Sequence, residues 1–255
     1  MQTLTVILIP LAGTVIGAAI ALFMRKQLSK SIEKLLLGFA SGVMIAASVW
    51  SLLLPSLEQT GEAWIPTTIG FAAGVGFLFL LDTLMPHMNI HSREQEGVIR
   101  HTTSSHTMLY IAVTIHNFPE GMAVGAVLAS VMAGTSDAGY AGAIVLATGI
   151  GIQNIPEGAI ISMPLRSTGM ARWKGFGLGA LSGMAEPLGA VLTILVASQM
   201  VTLLPYCLAF AAGAMIYVVV DELIPEAKSD ECFNIGTIGA ALGFTLMMVL
   251  DVSLG

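Results

Sequence analysis

The amino-acid sequence predicts an all-α integral membrane protein, built as an eight-helix transmembrane bundle with an inverted repeat and both termini extracytoplasmic. Composition, the number of apolar stretches and the placement of the basic residues predict this fold class. Of the 255 residues, 55% are hydrophobic and only 10% are charged, whereas soluble domains carry about 25% charged residues. The mean hydropathy of +0.85 excludes a soluble globular domain, and the low charge excludes a disordered chain. We therefore expect a multi-pass protein of the cell (inner) membrane.

Eight apolar stretches divide the chain, and each is long enough to cross a bilayer as a helix of about 20 residues. The connections between them are short, so we expect a single polytopic domain over 1–255, with a cytoplasmic, histidine-containing loop at 86–107. The predicted spans lie at about 4–24, 35–57, 65–85, 108–132, 140–165, 176–199, 203–223 and 233–254.

The basic residues predict the orientation of these spans. All ten lie in or beside the first, third, fifth and seventh connections, and the other connections and both termini have none. By the positive-inside rule, the odd connections are cytoplasmic and the termini are outside. The ten are Arg25, Lys26, Lys30, Lys34, Arg93, Arg100, Arg166, Arg172, Lys174 and Lys228.

Glycine makes up 28 of the 255 residues, and many of the glycines are four residues apart, as at Gly13 and Gly17 or Gly38 and Gly42. Small residues at this spacing allow helix backbones to approach closely in lipid. We therefore expect a compact bundle.

Acidic side chains enter the spans without any basic counterpart. An ionised side chain at the membrane centre costs about 2.5–3.5 kcal/mol on insertion scales, so such acids need protons, water or a bound cation. The acids near span ends fit the membrane interface equally well, whereas those near mid-span do not. The near-terminal acids are Asp82, Asp221, Glu222 and Asp251, and the mid-span acids are Glu120, Glu157 and Glu186.

A short motif occurs twice in the predicted spans. His-Asn-Phe-Pro-Glu-Gly at 116–121 recurs as Gln-Asn-Ile-Pro-Glu-Gly at 153–158, one span and one loop later. The two copies are therefore antiparallel and meet near half-depth, where inverted repeats of transporters form their substrate sites. Within a helix, His116 and Glu120 lie on one face, as do Gln153 and Glu157.

These residue types indicate a divalent metal ion. Imidazole with carboxylate and amide oxygens suits Zn²⁺, Fe²⁺ or Mn²⁺ better than Mg²⁺ or Ca²⁺. Glu186, in the middle of the sixth span, adds a third carboxylate. Met44 in the second span offers a thioether, although a methionine there more often packs against lipid or in the core.

With this motif pair, eight spans and extracytoplasmic termini, the chain resembles the ZIP family of divalent-metal transporters, and its Gln153-Asn154 version is most similar to the GufA-like branch. The resemblance implies alternating access and a two-metal centre bridged by Glu120 and Glu157. Asn154 stands where many members have Asp, so the number of bound metals, one or two, stays open. Asp221 stands where many members have His. The implied metal ligands are His116, Asn117, Glu120, Gln153, Asn154, Glu157, Glu186 and Met44.

We accordingly expect a carrier of Zn²⁺, with Cd²⁺, Fe²⁺ and Mn²⁺ as related cargo, moving into the cytoplasm. The metal is then substrate, not catalytic cofactor, and the protein is not an enzyme. The alternatives are a proton-coupled exchanger of another solute and an intramembrane metalloenzyme, although the sequence lacks the His-Glu-x-x-His pattern of such proteases. Expected partners are divalent metal ions and the lipid bilayer, with a homodimer left open and no nucleic acid.

The remaining acids and histidines predict a path for the ion. Asp251 lies near the outer end of the last span and is expected to attract ions at the entrance. Asp82, Asp221 and Glu222 lie near cytoplasmic span ends and are expected at the exit. The cytoplasmic loop either holds metal after release or is simply solvated, and its histidines are His87, His91, His101 and His106.

Overall fold

The computed structural model describes residues 1–23, 29–84, 87–88, 95–96, 105–137, 139–167, 171–228 and 234–254. Helices make up nearly all of the described chain, which confirms the all-α prediction. Two strands of two residues, β1 (His87–Met88) and β2 (Gln95–Glu96), pair antiparallel with His87 opposite Glu96. The helices are α1 (Gln2–Phe23), α2 (Lys30–Ala47), α3 (Leu54–Gln59), α4 (Trp64–Leu84), α5 (Ser105–Ala133), α6 (Gly139–Ser167), α7 (Arg172–Ser182), α8 (Ala185–Gln199), α9 (Leu204–Val218), α10 (Ile224–Lys228) and α11 (Ile235–Leu254).

Six helical segments of the described residues are long and apolar enough to cross a membrane. Their outer faces carry large apolar side chains, such as Phe79, Leu192 and Ile238, each with half or more of its surface exposed. Such faces suit lipid and identify a multi-pass membrane protein. The six segments are Gln2–Ile20, Lys30–Gln59, Trp64–Leu84, Arg172–Gln199, Val201–Lys228 and Ile235–Leu254.

Three of the predicted spans are irregular. A π-helical segment at Ser48–Leu53 joins α2 to α3, and another at Val219–Leu223 joins α9 to α10. The predicted span at 176–199 is divided into α7 and α8 at Gly183 and Met184. Pro187 explains the division, because it has no N–H to donate to the carbonyl of Gly183, which instead accepts from the Glu186 N–H at 3.1 Å.

Helices pack in four close pairs: α1 with α6, α5 with α8, α2 with α11 and α4 with α9. Glycines make this approach possible, as the sequence predicts. A Cβ on Gly13 would collide with the Gly151 backbone of α6, and a Cβ on Gly38 would collide with the Gly236 backbone of α11.

These pairs form two groups of helices. The first bundle contains α1, α5, α6, α7 and α8, and the second bundle contains α2, α3, α4, α9, α10 and α11. They meet mainly where α5 packs on α9 and α6 packs on α2. One hydrophobic core crosses this boundary, with Leu128 and Leu146 from the first bundle and Met44 and Met215 from the second all fully buried. The chain thus has two internally tight bundles that share a core.

Candidate metal centre

The two copies of the repeated motif face each other inside the first bundle. Gln153 Nε2 on α6 donates a hydrogen bond of 2.8 Å to Glu120 Oε1 on α5. Both side chains are fully buried. The antiparallel arrangement predicted from the repeat therefore brings the carboxylate of one copy onto the amide of the other.

Glu186 joins this pair from α8. Its Oε1 accepts hydrogen bonds from Asn154 Nδ2 at 2.9 Å and from Thr14 Oγ1 at 2.6 Å. Because α8 begins just before it, Glu186 lies in the first turn of that helix, where a carboxylate is favoured by the helix dipole. Sequence reasoning missed Thr14, whose only signal is a lone hydroxyl in the middle of an apolar span.

A glycine of the motif sets the position of α8. A Cβ on Gly121 would collide with the backbone of Glu186, so only glycine permits the observed contact between α5 and α8. Glu186 is therefore held next to Glu120 by backbone packing as well as by side-chain hydrogen bonds.

Several buried oxygens of these side chains accept no hydrogen bond from any described group. An unsatisfied buried polar atom costs about 1–3 kcal/mol. Gathering several acceptors without donors is therefore unfavourable unless protons, water or a cation contact them. The oxygens are Glu120 Oε2, Gln153 Oε1, Asn154 Oδ1 and Glu186 Oε2.

Comparison with known proteins agrees with this chemistry. The family described as ZIP Zinc transporter matches residues 87–251. The chain is 37% identical to zinc transporter GufA of Myxococcus xanthus over 254 residues, covering 96% of each chain. This chain belongs to the ZIP family. The resemblance stated from the sequence is thereby confirmed.

Other ZIP relatives match over most of their length. Zinc transporter ZIPB of Bordetella bronchiseptica is 34% identical over 251 residues, covering 96% of this chain and 78% of the relative. Zinc transporter ZIP11 of Xenopus tropicalis is 34% identical over 294 residues, covering 86% of this chain and 87% of the relative.

In this ZIP protein, His116 connects the candidate metal centre in the first bundle to the second bundle. His116 Nε2 lies 2.6 Å from Glu222 Oε1, and the ring N–H donates to the carboxylate. The sequence predicts Glu222 at the exit end of the ion path, and the structure puts it in direct contact with the histidine of the motif. Asp82, Asp221 and Glu222 each offer an oxygen, and these oxygens lie within 4.8 Å of one another. The mid-span motif is therefore in direct contact, through His116 and Glu222, with the group of predicted exit acids.

Asp251 lies in a different part of the molecule. Its Oδ1 accepts a hydrogen bond of 2.6 Å from Ser51 Oγ, and its buried Oδ2 accepts none from the described residues. It lines a cavity of about 100 Å³ together with Gln59 and Ser130. Gln59 also lines a second cavity beside the loops at 60–63 and 134–137.

The other residues predicted as ligands are partly described. Asn117 and Met44 are buried, and Glu157 is half-buried on α6, three residues after Asn154. The side chains of His87, His91, His101 and His106 lie outside the described residues, so the role of that loop stays a prediction.

Proposed function

We propose that this protein carries divalent metal ions, Zn²⁺ first and Cd²⁺, Fe²⁺ or Mn²⁺ as related cargo, across the cell (inner) membrane into the cytoplasm. The observation that carries the proposal is the set of four buried oxygens that receive no hydrogen bond from the described groups, on Glu120, Gln153, Asn154 and Glu186. The names of the ZIP relatives, which are zinc transporters, support the choice of metal.

These four oxygens, called the open oxygens below, supply two carboxylate and two amide ligands. His116, Asn117, Glu157 and Met44 complete the proposed ligand set. Asn154 uses its amide N–H to hold Glu186, which leaves its oxygen for the ion. The oxygen is neutral, so a second metal beside Glu157 would have one negative ligand fewer than with aspartate. A measurement of the Zn²⁺ binding stoichiometry decides whether the centre holds one metal or two.

The proposed topology has eight spans, with α5 and α6 added to the six apolar segments. Each of these helices has 29 residues and is long enough to cross a bilayer at about 1.5 Å per residue. Both termini are then extracytoplasmic, Asp251 lies at the entrance, and Asp82, Asp221 and Glu222 lie at the exit. The contact between His116 and Glu222 supports transfer of the ion from the centre to the exit.

Alternating access follows from how the ligands are distributed. The four open oxygens all belong to helices of the first bundle, whereas the second bundle contributes Met44 to the ligand set and Glu222 to the exit. Tight glycine contacts hold α1 on α6 and α5 on α8, so the first bundle can move as a unit with its metal. We infer that it slides against the second bundle and exposes the ion to each side in turn.

The central experiment measures ⁶⁵Zn uptake into vesicles containing the purified protein. Glu120→Ala removes a fully buried ligand carboxylate and is expected to lower uptake by more than about tenfold, because loss of even an outer partner of a metal ligand typically costs 10–100-fold. Glu62→Gln removes an exposed carboxylate in the loop at 60–63 and is the matched control, with uptake expected at the wild-type rate.

Wild-type uptake by folded, monodisperse Glu120→Ala would overturn the proposed site. Vesicles of the wild-type protein that respond only to a pH gradient, with no metal bound, would overturn metal transport in favour of a proton-coupled exchanger.

A further inference from the structure

The hydroxyl of Thr14 does not bond within its own helix, as several other buried hydroxyls of the described helices do. Ser41, Ser48 and Thr193 donate to the carbonyl four residues earlier in their own helix, at 2.8, 2.8 and 2.9 Å. Thr14 instead donates across the bundle to Glu186 Oε1, at 2.6 Å. Thr14 is only 1% exposed, so the bond to Glu186 takes the place of a hydrogen bond within α1 and of a hydrogen bond to water.

The internal repeat gives Thr14 a defined place. A Cβ on Gly121 would collide with the Glu186 backbone of α8, and a Cβ on Gly158, the equivalent glycine of the second copy, would collide with the Thr14 carbonyl of α1. Helix α1 thus packs against α6 in the same way that α8 packs against α5. Thr14 and Glu186 occupy equivalent positions under this repeat.

A second pair of contacts has the same relation. A Cβ on Gly189, three residues after Glu186, would lie 2.5 Å from the carbonyl oxygen of Phe118. A Cβ on Gly17, three residues after Thr14, would collide with the carbonyl of Ile155, which is the counterpart of Phe118 in the repeat. The equivalence of Thr14 and Glu186 therefore rests on two independent backbone contacts in each half.

Thr14 also determines which oxygen of Glu186 is open. Thr14 and Asn154 both donate to Oε1, whereas Oε2 is buried and receives no hydrogen bond from the described groups. Two donors on one oxygen, arriving from α1 and α6, fix the rotation of the carboxylate. The second oxygen is left as the acceptor for a ligand.

We propose that Thr14 is a positioning residue of the metal centre, which holds the Glu186 carboxylate so that Oε2 faces the ion. The proposal rests on the function proposed above and adds a residue from α1, a helix without a metal ligand in that proposal. Thr14 acts through Glu186 and does not contact the metal.

The surroundings of Thr14 allow a clean test. A Cβ on Gly183 would lie 3.0 Å from both Cβ and Cγ2 of Thr14, so the side chain is in close packing with the break between α7 and α8. Valine has nearly the same shape as threonine, so Thr14→Val removes the donor with little change in packing. Thr14→Ser keeps the donor and removes the methyl group.

The first measurement is Zn²⁺ affinity of the detergent-purified protein, by competition with a fluorescent chelator, together with KM and kcat of ⁶⁵Zn uptake. Thr14→Val is expected to weaken Zn²⁺ binding by about tenfold or more and to raise KM in parallel, the range found when an outer partner of a ligand is removed. Thr14→Ser is expected to bind like the wild type. Thr193→Val, which removes a buried hydroxyl bonded only to the Gly189 carbonyl of its own helix, is the matched control and is also expected to bind like the wild type.

The second measurement places Thr14→Val in a Glu186→Ala background. If Thr14 acts through Glu186, the added substitution leaves the remaining affinity unchanged. Wild-type affinity of folded Thr14→Val, or an equal loss in the Glu186→Ala background, would overturn the role of Thr14. A wild-type protein that binds no Zn²⁺ would overturn the proposed function itself, so the two failures are distinguishable.

Discussion

At the residue scale, His116 has two potential partners, the Glu222 carboxylate and the proposed metal ion. Its Nε2 is held by Glu222 at 2.6 Å, and one imidazole nitrogen cannot bind that carboxylate and a metal ion together. If the proposed metal binds His116 through Nε2, metal loading requires His116 to leave Glu222, and metal release lets the contact reform; if it binds through Nδ1, Glu222 instead orients the ring. The residue that stabilises the metal-free centre is then also the first residue on the exit side.

This competition predicts the effect of Glu222→Ala. Without its partner, His116 no longer gives up a charge-assisted hydrogen bond, which contributes about 1.5–3 kcal/mol when fully buried and less here, where both side chains are partly exposed. Zn²⁺ affinity in detergent is expected to rise by up to about tenfold, while the turnover of uptake falls because the exit acid is gone. Chelator competition and vesicle uptake measure the two effects, and a lower affinity in the variant would contradict competition and make Glu222 either a ligand of the central ion or a group that orients His116 for it.

The sequence predicted several residues that the structure brings together at the candidate centre, but not the bonds that connect them to other helices. The repeat identified Glu120, Gln153 and Asn154, because local spacing in a helix decides which side chains share a face. The bonds from Thr14 to Glu186 and from His116 to Glu222 join residues 172 and 106 positions apart. Contacts at such separations depend on how helices pack, which spacing within one helix does not determine.

At the element scale, the division between α7 and α8 shows what apolar patterning misses. Hydropathy places one span at 176–199, since glycine and proline in lipid interrupt a helix without making the segment less apolar. Pro187 and Gly183 explain the division once the backbone is known, and it lets α8 start beside Glu186. The all-helical class, in contrast, follows directly from composition and length.

Helix packing around the motif predicts a sharp contrast between two glycines. Gly121→Ala would place a methyl group against the Glu186 backbone and force α5 from α8, at a cost of about 1–3 kcal/mol. Gly177→Ala in α7 meets nothing within 4 Å and is expected to be neutral or to stabilise the helix by about 0.5–1 kcal/mol. Thermal unfolding in detergent and KM for Zn²⁺ measure both variants. A lower Tm together with a raised KM is expected for Gly121→Ala alone, and a normal KM would show that Glu186 does not depend on this contact.

At the scale of the whole molecule, a polar contact joins the two bundles at the end where the loops at 60–63 and 134–137 lie. Gln59 Nε2 of α3, in the second bundle, donates a hydrogen bond of 3.1 Å to Ser130 Oγ of α5, in the first bundle. Both residues line the cavity that contains Asp251, and Gln59 also lines the cavity beyond it. If the bundles slide, this contact must break in every cycle.

Cross-linking tests that requirement directly. Gln59→Cys with Ser130→Cys, made after Cys207→Ser and Cys232→Ser, joins the two bundles when treated with a flexible bis-methanethiosulfonate. Thr3→Cys with Tyr140→Cys is the matched control, because this pair lies at 3.2 Å between α1 and α6 within the first bundle. We expect ⁶⁵Zn uptake to be lost in the cross-linked first pair, restored by a reducing agent, and retained in the control. Full uptake by a completely cross-linked Gln59 and Ser130 pair would show that the ion crosses without relative movement of the bundles at this end.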